Sequence, residues 1–226
     1  MDVTKSTIKI CGLRTIPMVV SLGTLAIDDV GFMFAPSKRT VTAEFAGTMI
    51  KALRLTGSFA RAVGVFVNPS LDMLAQTLNA APLDVIQLHG QETPEFCREV
   101  KQRFNNITIC KVFAVRNEGD PTVIASQLDP YRGVCDSILL DTYDPHIGGG
   151  TGETFAWSRI PSYQAWAREA GIPLIVAGGL KPDNVGELIK TYQPDGVDVS
   201  SGVEIEGIKD ILLIKTFIER ARQNDK

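Results

Sequence analysis

The sequence has no excess of positive charge: 23 Lys and Arg stand against 26 Asp and Glu, a formal net charge of -3, with a pI near 5.5. A nucleic-acid binder needs a basic stripe, and none is visible. Any small anionic ligand would have to be held by local groups, because the global field does not help. No uninterrupted apolar run reaches the roughly 18 residues of a membrane helix. The opening residues 1–10 lack a positive region followed by an apolar one, so they do not read as a signal peptide. Cysteine is sparse. The four residues Cys11, Cys97, Cys110 and Cys135 lie far apart with no CxxC spacing, which argues against a zinc site or disulfide framework and for a reducing cytoplasm. Only segment 148–152 is markedly glycine-rich. No Gly-Lys-Ser/Thr follows it, and Glu153 stands where a G-x-G-x-x-G motif needs its last glycine, so neither a P-loop nor a dinucleotide fingerprint is present.

What the chain does have is alternation. Short β-branched runs at 7–11, 29–34, 62–67, 84–89, 107–113, 134–140, 173–177 and 196–200 predict strands. Amphipathic stretches at 43–55, 93–104, 161–170, 184–192 and 209–222 predict helices, and a further helix is expected over 16–25. Such alternation implies parallel strands with crossover helices. With no composition shift or linker, 226 residues read as one α/β domain spanning 1–226. Eight strands in so short a chain favour closure into a (β/α)8 TIM barrel, which starts at roughly 200 residues. A doubly wound sheet is the alternative, since periodicity does not reveal whether the sheet closes.

Alternate residues of a barrel strand point inward. If Ile8, Ile10, Ile86, Leu88, Ile138, Leu140, Val197 and Val199 face the helices, the interior receives Lys9, Cys11, Gln87, His89, Ser137, Leu139, Asp141, Asp198 and Ser200. Several of these end a strand, at the face where barrel enzymes place their active sites. Each has a bland reading as well. Cys11 alone would be a small core filler, Asp141 a turn cap, and His89 a polar residue closing a βα turn. Lys9 and Asp198 come from strands that adjoin in a closed barrel, and the preferred reading is an ion pair without a chemical role. Segment 148–152 is expected to be a mobile loop over the site, or else a plain surface turn.

Two glycine segments follow the last two strands: Ala177-Gly178-Gly179-Leu180 and Ser200-Ser201-Gly202-Val203-Glu204. Glycine lets backbone approach a phosphate, and adjacent N–H groups can donate to it. Barrel phosphate sites commonly use these two loops. Together they predict a phosphorylated small-molecule ligand on Gly178, Gly179, Ser201 and Gly202.

The motifs taken in order resemble the phosphoribosylanthranilate isomerase family. They are Lys9-Ile10-Cys11-Gly12-Leu13, Gly31-Phe32-Met33-Phe34 with Ser37-Lys38-Arg39, Val63-Gly64-Val65-Phe66-Val67-Asn68, Gln87-Leu88-His89-Gly90, Leu139-Leu140-Asp141-Thr142, Gly149-Gly150-Thr151-Gly152 with Phe155 and Trp157, the two glycine segments, and Gly207, Lys209 and Asp210. The chain departs from the family pattern where Arg14 intervenes before Thr15 and where the first helix lacks acidic residues.

The resemblance implies an Amadori rearrangement in tryptophan biosynthesis: N-(5-phosphoribosyl)anthranilate becomes 1-(2-carboxyphenylamino)-1-deoxyribulose 5-phosphate. It implies no metal, redox cofactor or nucleotide. Carried over by motif, Asp141 is the general acid and must be protonated when it acts. Cys11 is the general base, a thiolate within reach of modest tuning. Arg39 receives the anthranilate carboxylate, a task its planar donor fork suits, against the alternative of a solvated loop charge. His89 is placed at the substrate, with the turn-closing reading equal to it.

Other phosphosugar barrels are the nearest rivals. Indole-glycerol-phosphate synthases carry an N-terminal extension for which this chain leaves no room, and a pentose-phosphate epimerase would need metal-binding histidines where only His89 and His146 exist. A non-catalytic phosphometabolite sensor would have signalled itself by loss of Cys11 or Asp141. The expected assembly is a monomer or a homodimer, with no nucleic-acid or membrane partner.

Overall fold

The computed structural model describes residues 5–115, 123–142 and 154–223. Eight parallel strands close into a barrel in simple sequence order: β1 (Thr7–Cys11), β2 (Asp29–Met33), β3 (Arg61–Phe66), β4 (Val85–Leu88), β5 (Thr108–Val115), β6 (Ser137–Thr142), β7 (Leu174–Val176) and β8 (Gly196–Val199). Closure is made by β1 against β8, where Lys9 stands opposite Asp198 in the ladder. The helices between strands are α1 (Ile16–Leu22), α2 (Ala43–Leu55), α3 (Leu71–Ala80), α4 (Pro94–Arg103), α5 (Val123–Leu128), α6 (Ile160–Ala170) and α7 (Pro182–Tyr192). After β8 come a small antiparallel hairpin, β9 (Glu204–Ile205) with β10 (Ile208–Lys209), and then α8 (Ile211–Arg222). The sheet is therefore closed, not doubly wound.

Helix starts follow local chemistry. Thr42, Ser70 and Thr93 each accept a hydrogen bond from an N–H of the first turn, satisfying donors that the helix itself leaves orphaned. Two apolar clusters result from the strand alternation. The larger lies between strands and helices and includes Ile8, Ile10, Ile86, Leu88, Ile138 and Leu140. The smaller fills the barrel interior with Val63, Val85, Cys110, Val112, Leu139, Ile175 and Ala177. The expected inward and outward sets are the ones observed.

Most expected bounds move by a residue or two, α3 and α5 are not among the helices expected, and three departures have a clear local cause. β6 starts at Ser137, not at 134, because Gly133 turns with φ 76° and Asp136 bonds across to Ile109 and Lys101. α1 stops at Leu22, and the chain turns away at Gly23. Lys209 does not begin the last helix. A two-residue turn at Glu206 and Gly207, both at positive φ, folds it into the hairpin, and Asp210 caps α8. Segment 148–152 and His146 lie outside the described residues. Among the described residues, no helix is long and apolar enough to cross a membrane.

Candidate active site

Cys11 is the last residue of β1, and its thiol is almost fully buried. The space for it is created by its ladder partner on β2: a Cβ on Gly31 would lie 2.6 Å from Sγ. Beneath it Lys9 Nζ meets Asp198 Oδ2 at 2.7 Å, with both side chains buried. Burial works against the Lys9 ammonium, but the Asp198 carboxylate outweighs it and raises its pKa. The expected ion pair between the first and last strands is present. Burial also pushes the Cys11 thiol up, opposed by the charges of Lys9 and Lys209. The sequence suggested a thiol tuned toward neutrality. The enclosed wall of the barrel instead keeps it protonated more strongly than free cysteine.

Asp141 sits near the end of β6 on the same rim. Its Oδ1 accepts from the Thr142 N–H at 2.8 Å, so the turn-capping contact is real. Its Oδ2 lies 3.3 Å from His89 Nε2, while His89 Nδ1 lies 3.4 Å from the Gln87 amide. A carboxyl and an imidazole from β6 and β4 are thus brought together, and the capping contact leaves the second carboxylate oxygen directed to histidine. Gly178, at φ 80°, presses its backbone against this pair: a Cβ there would lie 2.9 Å from Asp141 Oδ1 and collide with Thr142.

On the opposite side of the rim, Arg39 reaches over Gly12, where a Cβ would lie 2.5 Å from the Arg39 Cδ. Its guanidinium makes a two-pronged contact with Glu204, Nε to Oε1 and Nη2 to Oε2, each 2.7 Å. Arg39 is therefore not a solvated loop charge. Lys209 Nζ donates to Glu204 Oε1 at 2.5 Å, to the Ser200 carbonyl at 3.0 Å and to Ser200 Oγ at 3.3 Å. Ser200 Oγ donates in turn to the carbonyl of Cys11 at 3.2 Å. Burial disfavours the Glu204 carboxylate, yet its two cationic partners bring its pKa down to about 2. Arg14, the residue that departs from the family pattern, donates to the carbonyls of Lys38 and Gly207 and so ties this side together.

The two glycine loops meet at the rim. Gly178 and Gly179 both take positive φ. A Cβ on Gly202 would overlap the Leu180 carbonyl, so the two loops touch backbone to backbone. Asn184, in the first turn of α7, binds the carbonyl of Gly179 and the N–H of Lys181, fixing the first loop on the helix start. Among the described residues, the N–H groups of Gly178 and Gly179 donate to no backbone carbonyl.

A second hub, not foreseen from the sequence, joins β5 to the loops after β3 and β4. Lys111 and Glu92 form a fully buried pair at 3.1 Å. Lys111 also donates to the carbonyl of Gly90 at 2.9 Å, and Glu92 accepts from the N–H groups of Asn68 and Gly90. The hub pins the residue next to His89. Glu204, Lys209 and Gly31 were likewise present in recognised motifs without an assigned task.

A carboxyl-bearing strand end, a thiol-bearing strand end, an arginine fork and two touching glycine loops share one rim of the barrel. That combination defines a barrel enzyme of the proton-transferring, phosphosugar-handling class. The family model for N-(5'-phosphoribosyl)anthranilate (PRA) isomerase matches residues 8–220. The chain belongs to that family. A curated N-(5'-phosphoribosyl)anthranilate isomerase of Brevibacillus brevis is 46% identical over 219 residues, covering 97% of this chain and 95% of its own. A solved structure of monomers made from the dimeric phosphoribosylanthranilate isomerase of Thermotoga maritima matches with TM-score 0.78 and 34% identity over 96% of this chain and 99% of that one. A further isomerase structure, in complex with reduced 1-(o-carboxyphenylamino)-1-deoxyribulose 5-phosphate, matches with TM-score 0.76 and 34% identity over the same shares, 96% and 99%.

Proposed function

We propose that this chain, as one barrel domain, isomerises N-(5'-phosphoribosyl)anthranilate in tryptophan biosynthesis, with Asp141 as general acid and Cys11 as general base. Asp141 gives its proton to the ribose ring oxygen as the C1–O bond breaks, and the anthranilate nitrogen supplies the electron pair that makes the iminium. Cys11, as thiolate, takes the proton from C2, and the C2–H electrons form the enolamine. Tautomerisation gives the ketone, with no atom gained or lost. Arg39 receives the anthranilate carboxylate, and Gly178, Gly179, Ser201 and Gly202 receive the phosphate. His89 holds the substrate side of Asp141.

The observation that carries this reading is the placement of Cys11 and Asp141 at the ends of two inward-facing strand positions on one rim. The Nε–Nη2 edge of Arg39 is already committed to Glu204, so the carboxylate would approach from its other side. The test is turnover of freshly made phosphoribosylanthranilate, followed by its fluorescence. Cys11→Ser and Asp141→Asn should each lower kcat by about 10²–10⁴-fold with circular dichroism unchanged. A Cys11→Ser enzyme keeping most of its kcat near neutral pH would remove the thiolate and make His89 the candidate base.

The assembly we propose is a homodimer through the amino-terminal mouth of the barrel. The matching Thermotoga maritima relative is described as dimeric. At this mouth a cavity of about 760 Å³ is lined by strand starts such as Thr7, Asp29, Arg61 and Thr108, and Phe59 stands on its rim 97% exposed. An aromatic beside a cavity is self-complementary under a twofold. Light scattering should give twice the chain mass, and Phe59→Asp should halve it; a wild-type monomer at micromolar concentration refutes the dimer. The four free cysteines accord with a cytoplasmic setting.

A further inference from the structure

We propose that Lys209 is a positioning residue for the isomerisation: from the hairpin after β8, held by Glu204 and Ser200, its ammonium stabilises the anionic form of Cys11. This rests on the reading of Cys11 as the base.

The geometry begins with a shortage. A buried thiol has to become an anion to accept a proton, and the wall around it opposes charge. The charged groups facing Cys11 come from every side of the rim. On its own strand is Lys9, the foremost charge favouring the thiolate, whose effect is opposed by its partner Asp198 of β8 at 2.7 Å. Gly31 of β2 brings no side chain. Across the mouth stand His89 and Asp141, occupied with each other at 3.3 Å. The second favourable source is the cluster of Arg39, Glu204 and Lys209, two cations on one carboxylate, with a surplus of positive charge.

The link from this cluster to Cys11 is directional. The Ser200 hydroxyl has one proton, and it goes to the Cys11 carbonyl; its lone pair therefore accepts from Lys209 Nζ. Lys209 is nearly buried, and its three N–H groups point to Glu204 Oε1, Ser200 O and Ser200 Oγ. A lysine with all donors assigned is fixed in place, and it bonds the residue that bonds the backbone of the thiol. None of these contacts belongs to the barrel ladder, and β9 and β10 pair only with each other, so the hairpin adds no strand to the barrel and holds Lys209 at its rim.

The test reads the thiol directly. Alkylation of Cys11 by iodoacetamide, followed by peptide mass across a pH series, gives the midpoint of thiolate formation. A Cys11→Ser control accounts for the other cysteines. Lys209→Met should move the midpoint up by about one pH unit, Lys209→Arg should restore most of it, and Glu204→Gln should move it down, because removing the anion leaves the cations unopposed. The rate profile for kcat/KM should follow: Lys209→Met loses about tenfold near neutrality, and the loss shrinks as pH rises. A midpoint that stays put in both variants, or a loss of activity by the same factor at every pH, overturns the proposal and makes the hairpin merely structural. If the midpoints move as stated while Cys11→Ser keeps its rate, the charge link stands and the assignment of the base falls.

Discussion

Replacing Lys9 by methionine removes one half of an ion pair and leaves the other half inside the barrel. The pair is buried on both sides, at 2% and 8% exposure, and among the described residues Asp198 Oδ1 has no hydrogen-bond partner. Methionine fills much the same volume, so the perturbation is electrostatic. Stranding a buried charge costs about 3–5 kcal/mol. At roughly 2–4 °C per kcal/mol for a chain of this size, the melting temperature should fall by about 10 °C. The pH dependence follows from Asp198: once Lys9 is gone, burial acts on its carboxyl without the opposing charge and raises its pKa. An acid whose folded pKa is raised contributes stability below its unfolded pKa and loses it as pH rises through the folded value. The deficit of Lys9→Met should therefore be small at about pH 4 and grow toward neutrality. Adding Asp198→Leu should recover most of the loss, since an apolar pair of similar size is often neutral. Thermal unfolding by circular dichroism at several pH values measures all of this. A single variant melting within about 2 °C of wild type at neutral pH, or a double variant no better than the single, would show that the interior carries no stranded charge.

Gly202→Ala should push the two glycine loops apart at the Leu180 carbonyl, raising KM and the inhibition constant of inorganic phosphate by roughly tenfold, or about 1.4 kcal/mol, with a smaller effect on kcat; an unchanged phosphate inhibition constant contradicts the proposed phosphate site. Gly31→Ala should displace the Cys11 thiol and lower kcat by about 10²-fold, the usual effect of misplacing a reacting group by an ångström; a kcat within about twofold of wild type shows that the thiol has room. Glu204, whose pKa is lowered from 4.5 to about 2, contributes stability that is full above its unfolded pKa and lost as pH falls toward the folded one. The advantage of wild type over Glu204→Gln in urea unfolding, up to about 3 kcal/mol near neutrality, should thus disappear in that acid window, and a gap that is the same at about pH 3 speaks against it.

The barrel and its rim were readable because strand alternation is local. Fixing Ile8 and Ile10 outward put Lys9 and Cys11 inside, and the same step on β6 and β8 put Asp141 and Asp198 there. The glycine pairs announced themselves by position after the last strands. Charges paired across long separations left no such trace. Lys111 lies 19 residues from Glu92, and Arg39 lies 165 from Glu204, and neither spacing follows any helix or strand period. Lys209 was assigned to a helix because it precedes an amphipathic run, and the Glu206-Gly207 turn that removes it uses a glutamate at positive φ, a rare choice. The upward push on the Cys11 thiol comes from the completed enclosure and has no counterpart in the residues next to it.

The rim is braced in two separate pieces. Arg14, Arg39, Glu204 and Lys209 lock the loops after β1, β2 and β8 to one another, and Glu92 with Lys111 of β5 locks those after β3 and β4. Cys11 belongs to the first piece and His89 to the second, so the gap the substrate must fill runs between two units that are each internally stiff. Free energies of substitution should then combine by sector: paired changes within one brace interact, and changes drawn one from each brace add. The distance between the thiol and the imidazole is accordingly set by the cylinder of strands beneath, so the loops are free to vary in sequence without retuning the spacing of the chemistry they surround.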